Sequence, residues 1–204
     1  WAARENGADI IKGQIIFSED LTHRPRFDEG EEEDNGVRKT IKRPYADEIA
    51  RLKRLDLVDD DYRFFVEEVR RVGAIPMMAV FARRRIPLAA SLPWSPGERM
   101  VKVASYDCAS YPMIDELAGI FDTLIVSTGA TFDHEIEKTA KRLRECGKRF
   151  ALLHCVTHYP NTLEMANLAR MEWLRSLVPE VGWSDHTLVS RDGIMAAKTA
   201  LALG

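Results

Sequence analysis

A parallel α/β sheet wound one βα unit at a time is the fold this sequence predicts, and a (β/α)8 barrel is its expected form. Three observations carry the prediction. Six short, almost continuously apolar runs recur along the chain, at residues 9–16, 75–81, 100–105, 123–127, 150–156 and 181–184. Such runs suit parallel strands covered on both faces. Between them, apolar residues recur three and four apart, the mark of helices with one buried stripe. Finally, no Gly-x-Gly-x-x-Gly follows the first run, which argues against a dinucleotide-binding, doubly wound domain.

The elements follow in order. Residues 1–7 form a helical pattern before the first strand, which carries Lys12 and Gln14. An acidic run, 28–34, and a basic run, 38–43, come next and are read as a solvated loop, with a lid over a site as the sharper alternative. A helix with Tyr62, Phe65, Val66 and Val69 on one face ends at Gly73, a C-cap glycine before strand 75–81. Pro112 behind Ser110 marks a helix start with a capping serine. Ile136, Ala140 and Leu143 form the stripe of another helix, closed by Gly147. Leu168, Met171, Leu174 and Val178 form a third. Residues 192–203 are helical again. Helical patterns at both ends imply one strand before residue 1 and one after residue 204, eight in all. The chain is thus expected to be a single barrel domain lacking its first and last strands.

Composition excludes several function classes. The 204 residues are 46% hydrophobic and 30% charged, enough for one sizeable core. A net charge of −3 and a pI near 6.0 give no footprint for nucleic acid. Cys108, Cys146 and Cys155 are an odd set without framework spacing, as free thiols in a reducing compartment would be. With no signal-peptide pattern and no apolar stretch of spanning length, a cytoplasmic protein with no membrane partner is expected.

Sites in such folds are built where strands end. Those ends carry Lys12 and Gln14; Phe81; Lys102, Ser105 and Asp107; Ser127, Thr128 and Gly129; His154, Thr157 and Tyr159; and Ser184, Asp185 and His186. A single strand lysine commonly snorkels to solvent. Two, each close to a polar strand end, point to a bound anion that offsets their burial. Hydroxyls and a glycine beside them suit phosphate or carboxylate. Two histidines on neighbouring strands suit a divalent metal or acid–base work, with a satisfied core histidine as the alternative for His154. Cys155 reads as packing, and His23, His134 and His158 as surface residues. Arg83, Arg84 and Arg85 read as a solvated face rather than an anion clamp.

In this order and spacing, the segments at 7–14, 101–105, 125–129, 153–160 and 182–187 resemble the sialic acid synthase family. The resemblance covers residues 7–204 and is weakest over 22–96. It implies a (β/α)8 barrel that condenses phosphoenolpyruvate with an N-acyl hexosamine such as N-acetylmannosamine, using a divalent metal, Mn2+ or Mg2+. It implies phosphoenolpyruvate contacts from Lys12, Lys102, Ser105, Ser127, Gly129 and Ser184, and sugar contacts from Gln14, Thr157 and Tyr159. His186 is implied as a metal ligand, with Lys12, Lys102 and His186 the catalytic set. Ala79, Tyr106 and Thr157 depart from the family pattern, which bears on the sugar more than on the reaction. The family's sugar-binding glutamate, second metal histidine and C-terminal antifreeze-like domain are expected outside this chain. A homodimer through that domain is a further implication. Two other readings stay open: a Schiff-base aldolase using Lys102, and a barrel that binds a sugar or phosphate without catalysis.

Overall fold

A computed structural model of the chain describes residues 1–32, 38–40 and 42–204. Six parallel strands form one sheet: β1 (Ile10–Ile15), β2 (Ile75–Val80), β3 (Met100–Val103), β4 (Thr123–Ser127), β5 (Arg149–His154) and β6 (Val181–Trp183). Their order in the sheet is their order in the chain. A doubly wound sheet reverses direction partway; this one does not. The outer edges of β1 and β6 pair with no strand among the described residues. The sheet is therefore open in this chain, and the expected barrel closure is not seen.

The longer helices are α1 (Tyr45–Lys53), α2 (Asp59–Arg71), α3 (Ile86–Ala90), α4 (Tyr111–Ile120), α5 (Asp133–Glu145), α6 (Arg170–Leu177) and α7 (Met195–Ala202). Local chemistry sets their ends. Three aspartates occupy the first turn of α2 and two arginines its last, each complementing the helix dipole. The Asp61 carboxylate accepts the Val58 N–H at 2.9 Å. Gly73, at φ 74°, turns the chain from α2 into β2. Pro112 sits in the first turn of α4 as expected, but Ser110 makes no side-chain capping bond. The terminal helical pattern is broken at Gly193 (φ 59°), so α7 is shorter than the periodicity implies.

One core lies between the sheet and a single layer of helices. Ile15, Met78, Val80, Val101, Val103, Leu124, Val126 and Leu152 supply the strand side. Tyr62 and Val66 of α2, Ile114 and Leu117 of α4, Ile136 and Leu143 of α5, and Leu174 of α6 supply the helix side. Burying each such side chain contributes about 1.5–3 kcal/mol. Because side chains alternate across a strand, the remaining strand positions project from the opposite face.

Two expectations on surface segments are refined. Residues 33–37 and 41 lie outside the described residues, but the rest of the acidic and basic runs is not plain loop: Arg26–Glu29 form a helical turn, and Glu31–Glu32 pair antiparallel with Arg38–Thr40. In the Arg83–Arg85 turn, Arg83 and Arg84 are solvated as expected, Arg85 is largely covered, and each arginine is paired. Arg83 bonds Glu116 at 3.0 Å, and Arg84 and Arg85 both reach Asp20. The Arg85 guanidinium also lies 3.9 Å from the Phe17 ring centroid. These contacts tie the turn after β2 to the turn after β1.

Candidate functional site

Strand register puts the predicted residues on one face. Gln14 pairs with Ala79, Ala79 with Lys102, and Lys102 with Ile125. Partners in parallel register share a face, so Gln14 and Lys102 belong to one layer on the side away from the helices. Lys12 and Ser127, two residues along their strands, project from the same side. The Lys102 amine donates to the Ser127 hydroxyl at 2.7 Å, and Ser127 is 1% exposed.

The two lysines are uncomfortable neighbours. Burial lowers the pKa of Lys12, and the positive charge of Lys102 lowers it further. Burial also lowers the pKa of Lys102, against a smaller opposing influence from Cys155. Neither shift has a carboxylate among its causes. Two partly desolvated ammonium groups with no carboxylate partner among the described residues favour an anion beside them.

Above them, three strand ends meet at one hydroxyl. Strand β3 stops at Val103, two residues sooner than its apolar run, and Ser105 opens a 3-10 turn, Ser105–Asp107. The Ser105 Oγ accepts the Gly129 N–H at 3.2 Å and lies 3.1 Å from the Cys155 Sγ. Thr131 donates its hydroxyl to the Ser105 carbonyl at 2.9 Å. A Cβ on Gly129 would stand 2.6 Å from the Cys155 carbonyl oxygen, so glycine is what lets these strand ends approach. Asp107, in the same turn, has its pKa raised by burial.

The histidine side is built from the loops after β5 and β6. Asp185 accepts both the backbone N–H and the hydroxyl of Thr187, at 2.8 and 2.7 Å, which folds the loop after β6 into an Asx-type turn. Asn161 donates its N–H to the His186 carbonyl at 2.9 Å, joining that turn to the loop after β5. The His186 Nδ1 lies 2.6 Å from the Val156 carbonyl, which fixes Nδ1 as the protonated nitrogen. Nε2 is left with its lone pair, 3.4 Å from the Ser184 Oγ. A histidine held by one nitrogen through a backbone carbonyl, with the other bare, is oriented as a metal ligand is. No group of three His, Cys, Asp or Glu residues with metal-binding geometry occurs among the described residues. His186 alone therefore fits at most one ligand position, without companion ligands among the described residues. The Tyr159 ring stacks on His186, with centroids 4.0 Å apart. Thr157 is half-buried on the same loop.

His154 does not line this site. It falls on the other face of β5, 3% exposed, with its ring 5.1 Å from that of Trp183 and its Nε2 2.8 Å from the Ala166 carbonyl. Burial lowers its pKa, as for a neutral core histidine. Leu153, the register partner of Ser127, and Cys155 take the inward positions instead. Sequence reasoning missed Cys155 and Thr131 as parts of the site. The signal that finds Cys155 is its two-residue offset from Leu153. His23, His134 and His158 are at least half exposed or on the surface, as the sequence suggests.

Known proteins share this architecture. A solved sialic acid synthetase from Leptospira borgpetersenii serovar Hardjo-bovis superposes with a TM-score of 0.77, covering 99% of this chain and 61% of that one at 22% identity. An uncharacterized protein of Methanocaldococcus jannaschii is 28% identical over 99% of this chain and 52% of its own length. An N,N'-diacetyllegionaminic acid synthase of Legionella pneumophila is 26% identical over 100% of this chain and 55% of its own. The chain thus spans about half the length of these curated relatives. The sequence profile of the NeuB family matches residues 1–204, end to end. By that match the chain belongs to the NeuB family.

Proposed function

We propose that this chain forms most of the catalytic barrel of a nonulosonic acid synthase, which condenses phosphoenolpyruvate with an N-acyl hexosamine and releases phosphate. The observation that carries the reading is the pair Lys12 and Lys102 on one sheet face, partly desolvated, without a carboxylate neighbour, with Ser127 hydrogen-bonded to Lys102. Such a floor suits a small ligand bearing both phosphate and carboxylate. Consecutive strand order and one helix layer support a barrel closed by two further strands between β6 and β1. The legionaminic acid synthase relative supports the reaction class.

In the proposed reaction, C3 of phosphoenolpyruvate forms a bond to the aldehyde carbon of the open-chain sugar. Water adds at C2, and phosphate leaves with cleavage of its C–O bond. Lys12 and Lys102 neutralise the phosphate and carboxylate, and Ser105, Ser127 and Ser184 fix their orientation. Gly129 keeps the backbone close enough for that contact. Gln14, Thr157 and Tyr159 form the sugar side, with Tyr159 offering a ring face beside His186. His186 would supply one ligand to Mn2+ or Mg2+, which when bound polarises the sugar carbonyl as a Lewis acid.

The test is phosphate release by the full polypeptide from phosphoenolpyruvate with a panel of N-acyl hexosamines and divalent metal. Release that depends on both substrates is expected. No release with any acceptor, alongside firm phosphoenolpyruvate binding, would point to a binding barrel instead. The depressed pKa of Lys102 favours a second reading, the Schiff-base aldolase. Borohydride trapping of a carbonyl substrate on Lys102 is its signature, and absence of an adduct is expected.

A further inference from the structure

Ser105 sits where β3, β4 and β5 converge, and its hydroxyl has two close polar neighbours. Its oxygen already accepts the Gly129 N–H at 3.2 Å. Its second close contact is the Cys155 Sγ at 3.1 Å. A hydroxyl has two acceptor positions and one hydrogen. If it gave that hydrogen to the sulfur, a poor acceptor, it would have none left for an anion. If the thiol donates instead, both lone pairs are occupied and the hydroxyl hydrogen is free to point into the site. The second arrangement is the one a site bordered by two lysines calls for. Cys155 is 3% exposed and packed under Gly129, where a Cβ would meet its sulfur at 2.7 Å, so the sulfur is held against the Ser105 hydroxyl.

We propose that Cys155 is a positioning residue, whose S–H donates to the Ser105 Oγ and turns the Ser105 hydroxyl hydrogen toward the bound anion. Gly129 donates from the neighbouring end of β4, so Ser105 is held by two successive strand ends. The cysteine never touches the reacting atoms. The inference rests on the phosphoenolpyruvate reading for its functional consequence but not for its geometry.

Two variants separate positioning from packing. Cys155→Ala removes the donor; Cys155→Ser removes the sulfur's volume and keeps a donor. The first readout needs no substrate: hydrogen-exchange protection of the Gly129 amide, whose bond ends on Ser105. The second is KM for phosphoenolpyruvate against kcat. Protection of Gly129 is expected to fall about fivefold in Cys155→Ala and to be largely restored in Cys155→Ser. KM is expected to rise about fivefold in the alanine variant, with kcat changed less, and to recover in the serine variant. Equal losses in both variants would mean a packing role and overturn the proposal, as would wild-type behaviour in both. If the wild type turns over no phosphoenolpyruvate while the Gly129 amide responds as described, the functional reading falls and the positioning role stands.

Discussion

Strands β3 and β4 and their ends bury Ser105 and Ser127, whereas the loops after β5 and β6 hold Tyr159 and Asp185 at the margin. Ser127 and Ser105 are 1% and 8% exposed; Tyr159 is 73% exposed. On the first side, each serine hydroxyl has a bond from a neighbouring strand, and two lysines converge without a counterion. On the second, His186 is oriented by Val156 and stacked by Tyr159 but has no companion ligands among the described residues. The difference is one of neighbours. β3 and β4, which lead to Lys102, Ser105 and Ser127, are flanked by strands on both sides, while β1 and β6 are both edges among the described residues. In the proposed reading, the anion side draws on β1, β3 and β4, and His186 follows the edge strand β6.

The largest effect should come from breaking the interior side. Lys102→Met removes the amine that bonds Ser127 and is expected to lower kcat/KM by about 10²–10³. Its melting temperature should hold or rise, because the wild-type protein keeps that charge partly desolvated without a partner. Steady-state kinetics and calorimetric melting of the same sample check both halves. His186→Ala comes next. It should weaken metal affinity and metal-dependent turnover by about 10–100-fold with little change in melting temperature. Unchanged metal dependence would remove His186 from the metal site.

Gly129→Ala sharpens the contrast through stability. Its Cβ would meet backbone and sulfur of Cys155, neither of which can swing away, so a loss of about 1–3 kcal/mol is expected in denaturant titration. A glycine on the open histidine side should tolerate more. The pH dependence of stability is the smallest effect and has a definite sign. Folding lowers the pKa of Lys12 and Lys102, so it is opposed while they are charged. Unliganded stability from these two groups should rise as pH climbs through their folded pKa values toward 10.5, their ordinary value. Phosphoenolpyruvate affinity should fall across the same window. Titrating Lys12→Met/Lys102→Met alongside should flatten both trends.

The strands were legible because parallel strands covered on both faces are apolar throughout. The same continuity hid which residue faces which way. In β5, Leu152 and Leu153 are both apolar, so nothing in the sequence says that Leu153 and Cys155 face the lysines while His154 faces Trp183. Lys12 and Lys102 were legible because a charge in an apolar run has to be explained. The pairing of the arginine turn at 83–85 was not legible because its partners, Glu19, Asp20 and Glu116, lie more than 30 residues away in sequence. Cys155 escaped notice because a thiol among leucines looks like packing until Ser105 is placed beside it.

The separability of the two sides is most directly tested by calorimetric titration of phosphoenolpyruvate into this chain in the presence of a metal chelator. Binding at one site is expected without metal, unaffected by His186→Ala and abolished by Lys102→Met. Binding that needs metal, or that His186→Ala abolishes as fully as Lys102→Met does, would contradict an anion side that works apart from the histidine side.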